Sequence, residues 1–173
     1  MNRNIVGGRV VAALLGLGLL GGCESAAGPT EPGVLEGLTP GIHAIVVVGN
    51  RTGTTTQVQL YLKKVQLDAT VSSYQGEFSY DSQGLTFADA EIPQGITGAW
   101  NKTADGKVRF AGAAPNGVGE GAVLTLRFES KAALQKTDFK VKMEEITAAE
   151  DFHSLADQLV EKEQPLFSRL PIE

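Results

Sequence analysis

The chain has 173 residues, 15 basic and 20 acidic, with two histidines, one cysteine and a net charge of −5. A single cysteine excludes a disulfide within the chain, and the acidic balance argues against nucleic acid as a partner. Aromatic residues make up only 6% of the sequence, which is a poor supply for a broad sugar-stacking surface.

The chain opens with Arg3 and Arg9 in a short stretch without acidic residues, then an apolar run over residues 10–20, then Leu20-Gly21-Gly22-Cys23. A basic start, a short apolar middle and small residues at the end describe a secretory leader. The run of eleven residues falls short of the roughly 20 that a membrane-spanning helix needs. Leu20-Gly21-Gly22-Cys23 resembles the lipobox of bacterial lipoproteins. That resemblance implies a leader over residues 1–22, cleavage before Cys23, diacylglycerol on its thiol and acylation of the new amine. The alternative is a plain leader followed by an incidental thiol, and a lone exposed thiol is a liability in an oxidising compartment. Several acyl chains together give a stable membrane anchor. Glu24 rather than Asp follows the cysteine, which favours the outer membrane in some Gram-negative bacteria.

Residues 23–41 are rich in Gly, Pro, Ala, Glu and Thr. They hold too little apolar surface to offset ordering entropy and read as a lipidated, flexible tether. Without Arg3 and Arg9 the chain keeps 13 basic against 20 acidic residues, a charge of −7. Residues 42–168 are long enough for one domain with a real core, and 169–173 form a tail.

Alternation with a period of two dominates residues 42–147. Residues 42–49 form an apolar run closed by Gly49-Asn50. Residues 54–64 place Val58, Leu60 and Leu62 on one face and Gln57, Gln59 and Tyr61 on the other. Residues 65–69 either prolong that strand or break it at a bulge. Residues 72–81 set Tyr74, Gly76, Phe78 and Tyr80 against Gln75, Glu77, Ser79 and Asp81. Asp81-Ser82-Gln83-Gly84 is turn chemistry, after which Leu85 and Phe87 resume an apolar face. Residues 96–102 are a weaker strand carrying Trp100. Residues 107–113 turn Val108 and Phe110 inward, Lys107 and Arg109 outward. A Gly-rich loop leads to residues 122–130, with Leu124, Leu126 and Phe128 inward and Thr125, Arg127 and Glu129 outward. Residues 138–147 place Phe139, Val141 and Met143 inward, Lys140, Lys142 and Glu144 outward.

The C-terminal stretch has two readings. Thr147-Ala148-Ala149-Glu150 has capping-box spacing, and Phe152, Leu155, Ala156 and Leu159 follow at helical intervals. Alternatively, residues 159–167 supply a last strand that covers a sheet edge. About eight strands with short turns and no central helix define an all-β sandwich of two antiparallel sheets.

Ser73-Tyr74-Gln75-Gly76-Glu77-Phe78-Ser79-Tyr80-Asp81, followed by Gly84-Leu85-Thr86-Phe87, resembles a cohesin domain. Gly106-Lys107-Val108-Arg109-Phe110-Ala111-Gly112 and Gly119-Glu120-Gly121-Ala122-Val123-Leu124-Thr125-Leu126-Arg127-Phe128 extend the likeness in the same order, across residues 44–147. The resemblance implies a jelly-roll β-sandwich of about nine strands, shared with several carbohydrate-binding modules. It also implies a protein partner, dockerin-like or another envelope protein. That partner would meet the sheet made by strands 72–81, 96–102, 107–113 and 138–147. Its outward residues are Gln75, Glu77, Ser79, Lys107, Arg109, Lys140, Lys142 and Glu144.

Two other function classes compete with this one. A carbohydrate-binding module would stack polysaccharide on exposed rings, for which Tyr61 and Trp100 are the candidates. An enzyme finds little support: His43 and His153 lie near opposite ends of the domain, and no nucleophile elbow, zinc-protease helix or phosphate loop is present. Glu144 and Glu145 are expected on opposite faces of one strand, unable to flank a glycosidic bond. No cofactor or metal is expected.

Overall fold

The computed structural model describes residues 37–119, 121–134, 138–160 and 166–169. The leader, Cys23 and most of the tether lie outside the described residues, as does the end of the tail. The described strands are β1 (Gly41–Thr52), β2 (Thr55–Val65), β3 (Val71–Tyr80), β4 (Leu85–Glu91), β5 (Thr97–Ala104), β6 (Lys107–Ala113), β7 (Ala122–Ser130), β8 (Phe139–Ala148) and β9 (Leu166–Arg169). They form a five-stranded sheet in the order β4-β7-β2-β1-β9 and a four-stranded sheet in the order β5-β6-β3-β8. All pairings are antiparallel except β1 with β9. This is the expected jelly-roll sandwich.

Alternation places the core. The first sheet contributes Ala44, Val46, Val58, Leu60, Leu124 and Leu126, and the second contributes Tyr74, Phe78, Val108, Phe110, Val141 and Ile146, all in one buried cluster. Each such side chain removed from water contributes about 1.5–3 kcal/mol, the small alanine less. Aromatic rings join the layers at one end: Phe128 lies 5.0 Å from Tyr80, 5.6 Å from Phe139 and 5.9 Å from Phe87 between ring centres.

Turn chemistry acts where the sequence placed it. The Gln83 backbone N–H donates to Asp81 Oδ1 at 3.0 Å, and the Leu85 N–H donates to the Asp81 carbonyl at 3.0 Å. Gly106 takes a φ of +80° and joins β5 to β6. Val65 is the last residue of β2 and residues 66–69 do not prolong it, because Gln66 at φ +49° ends it.

Three expectations are corrected. The first concerns β2. Alternation puts Gln59 and Tyr61 on the face opposite Val58, Leu60 and Leu62, with Tyr61 a candidate exposed ring, yet both are buried. Ile45 and Val47 of β1 face away from the core and form a second apolar cluster with Tyr61. The cause is visible in β1, which runs apolar from Ile45 to Val48 without alternating, as a strand covered on both faces does. Thr125 of β7, paired with Gln59, faces away from the core as expected but is likewise buried.

The second correction concerns β8. Gln75 pairs with Glu145 and Gly76 with Met143, so Glu144 is the extra residue of a β-bulge. Both Glu144 and Glu145 are exposed, against the expectation that neighbours face opposite ways.

The third concerns the C-terminal stretch, for which the sequence offers both a helix and a last strand; the helix is not formed. Thr147 and Ala148 still belong to β8, and Phe152 adopts φ +58°, which a helix cannot carry. A single 3-10 turn, Ala156–Gln158, follows. Leu155 and Leu159 join the core, and β9 adds the edge strand beside β1.

A candidate protein-binding face

Register arranges the outer surface of the β5-β6-β3-β8 sheet as rows running across the strands. The first row holds Lys107, Ser79 and Lys140. The second holds Asn101, Arg109, Glu77 and Lys142. Ala99, Ala111, Gln75 and Glu145 make the third, and Thr97, Ala113, Ser73 and Thr147 the fourth. Directly paired residues point to the same side of a sheet, so each row is a line of neighbouring side chains. All eight residues expected on this face are on it: Gln75, Glu77 and Ser79 half-buried, Lys107, Arg109, Lys140, Lys142 and Glu144 exposed.

The face is cross-braced. Lys107 Nζ meets Glu77 Oε1 at 2.8 Å, and the Ser79 hydroxyl donates to the same oxygen at 3.4 Å. Arg109 Nη2 pairs with Glu144 Oε2, and Gln75 Nε2 donates to that oxygen at 3.2 Å. The Arg109 hydrogen bond holds the Glu144 carboxyl below the usual carboxylate range. These pairs are solvated, so each contributes about 0–1 kcal/mol and mainly fixes side-chain geometry. Lys140 and Lys142 form no ion pair among the described residues.

Sequence reasoning missed the uncharged half of this surface. Ala111 and Ala113 share parity with Lys107 and Arg109, so alternation was the available signal. Ala99, Ala111 and Ala113 floor a shallow depression with Gly98 beneath and Glu145 at its side. Glu145 carried no such signal, because it reaches the face only through the bulge.

The two rings proposed for sugar stacking do not come together. Tyr61 is only 6% exposed, on the other sheet, and its hydroxyl donates to Gln59 Oε1 at 3.2 Å. Trp100 pairs with the inward Phe110 and packs edge-to-face on Phe87 at 5.6 Å. It is 36% exposed and closes the rim of the core. His43 is buried, with Nε2 2.8 Å from the Thr39 carbonyl, a packing role. His153 is exposed and pairs with Asp151. Among the described residues no three His, Cys, Asp or Glu side chains gather as metal ligands.

No family model matches the sequence, and no curated protein matches it. Solved structures do. The sixth cohesin of scaffoldin B from Acetivibrio cellulolyticus, in complex with a Cel5 dockerin mutant, is 16% identical over 73% of this chain and 99% of its own, with a TM-score of 0.55. The cohesin module of a family 33 glycoside hydrolase from Clostridium perfringens is 14% identical over 76% of this chain and 100% of its own, TM-score 0.56. A non-cellulosomal cohesin from Archaeoglobus fulgidus is 16% identical over 75% of this chain and 92% of its own, TM-score 0.51. The domain therefore has a cohesin-like fold.

Proposed function

We propose that the chain is an exported, lipid-anchored, non-catalytic module that binds a protein partner, dockerin-like or another envelope protein, on the outer face of β5-β6-β3-β8. One observation carries the reading: an exposed, flat sheet face combines both charge signs in fixed ion pairs with an uncharged floor of small side chains. Such a surface suits recognition in which charge sets orientation and contact area sets affinity. The likeness to a cohesin solved with a dockerin supports the same reading. The non-catalytic reading is supported by the likeness to cohesin modules; Glu144, engaged by Arg109 and Gln75, serves to brace the face. The polysaccharide alternative keeps a single ring at one rim, which is a poor platform.

The test is capture of a partner by the mature chain, wild type against Glu77→Lys with Arg109→Glu. The double reversal breaks both cross-braces and exchanges the two central charges of the second row. Loss of at least about tenfold in affinity, with an unchanged far-UV spectrum, is the expected result. Equal capture by both proteins would move the binding site off this face.

A further inference from the structure

The face is polarised along its strands. Its first two rows hold four cations, Lys107, Arg109, Lys140 and Lys142, around one carboxylate, Glu77. Two of the cations are neutralised within the face, Lys107 by Glu77 and Arg109 by Glu144. Lys140 and Lys142, two residues apart on β8, form no ion pair among the described residues, although the Lys142 charge also acts on Glu144. Two lysines outside any ion pair on a chain of net charge −5 make a local excess of positive charge. At the other end Ala99, Ala111 and Ala113 give a floor without long side chains, where a partner's backbone can approach closely. Glu145 flanks that floor and repels any carboxylate placed there.

We infer that the partner docks a segment that is acidic at one end and apolar at the other, with its carboxylates over Lys140 and Lys142 and its short apolar side chains on Ala99, Ala111 and Ala113. This rests on the face being a protein-binding surface, and it adds the partner's chemistry and direction. The bland account of the two lysines is protection of an edge strand, since charge on β8 deters pairing with another chain. The two accounts separate on charge sign. Lys140→Glu with Lys142→Glu keeps the edge charged, and so protected, but reverses what it attracts.

The experiment places a photo-crosslinking benzophenone side chain at position 142 or at position 111 of the full chain, in the cells that make it. Crosslinked peptides are sequenced by mass spectrometry. The captured protein is then produced and titrated calorimetrically against wild type, the double glutamate variant and Ala111→Arg. The inference expects both positions to capture one protein, with an Asp- and Glu-rich peptide at 142. It expects the double glutamate variant to bind about tenfold or more weakly, with a flatter salt dependence, and Ala111→Arg to abolish binding. Capture of one protein at both positions, with wild-type affinity in the double glutamate variant, overturns the acidic-end inference and leaves the face intact. Capture at neither position overturns the face itself.

Discussion

The Tyr74 hydroxyl crosses from one sheet to the other and donates to the Val123 carbonyl at 2.6 Å. Leu60 pairs with Leu124 and Tyr61 with Ala122, so Val123 is the unpaired residue of a bulge in β7. Burial raises the Tyr74 hydroxyl's pKa far above the ordinary tyrosine value, which keeps it a donor. Tyr74→Phe should therefore cost about 1–3 kcal/mol in urea unfolding, because a buried carbonyl loses its partner. A cost near zero would mean that the carbonyl finds water. Glu144 behaves differently because it is exposed. Its carboxyl titrates below its unfolded value in the Arg109 pair. The stabilisation is thus complete above the ordinary glutamate range and fades as the pH falls below about 4. Thermal midpoints of Glu144→Gln should follow wild type less steeply through that acid window, and the difference should shrink in high salt.

At the scale of elements, the bulge in β8 governs its neighbour. A methyl group on Gly76 would sit 2.6 Å from the Lys142 carbonyl and 2.9 Å from the Phe110 ring. Gly76→Ala should thus destabilise by about 1–3 kcal/mol through overpacking, whereas Gly119→Ala, with open space around it, should stay within about 0.5 kcal/mol. Chemical denaturation of the two variants makes the comparison. The same bulge marks what the sequence could and could not disclose. Alternation located β3, β6, β7 and most of β8, and it put all eight proposed face residues on one surface, because side-chain parity is a local property. It failed where one extra residue resets parity, so Glu145 was assigned to the wrong side. It failed again at Tyr61, since a polar–aromatic stripe on β2 looks solvated until the unalternating β1 is laid beside it. The capping-box spacing at 147–150 misled for a third reason: pairing of β8 with β3 outweighs a local helix start that has only a short apolar stripe to support it.

At the scale of the whole molecule, Cys23 is the proposed point of anchoring. Cys23→Ser should shift the protein from the detergent phase to the aqueous phase on Triton X-114 partition and remove the mass of the acyl groups; retention in the detergent phase would refute lipidation at that residue. The arrangement around β1 then acquires a mechanical meaning. The strand begins at Gly41, where the proposed tether ends, and lies between β2 and β9 rather than at a sheet edge. It is antiparallel to β2 from Gly41 to Thr52 and parallel to β9 from Ile45 to Val48. Its ladder hydrogen bonds run roughly crosswise to the strand axis. In the proposed anchored form, a tug on the tether, resisted by a partner held on the opposite sheet, would load those bonds side by side in shear instead of peeling them open one at a time. The proposed tether would thus pull on an inner strand paired on both sides, where many ladder bonds must fail together.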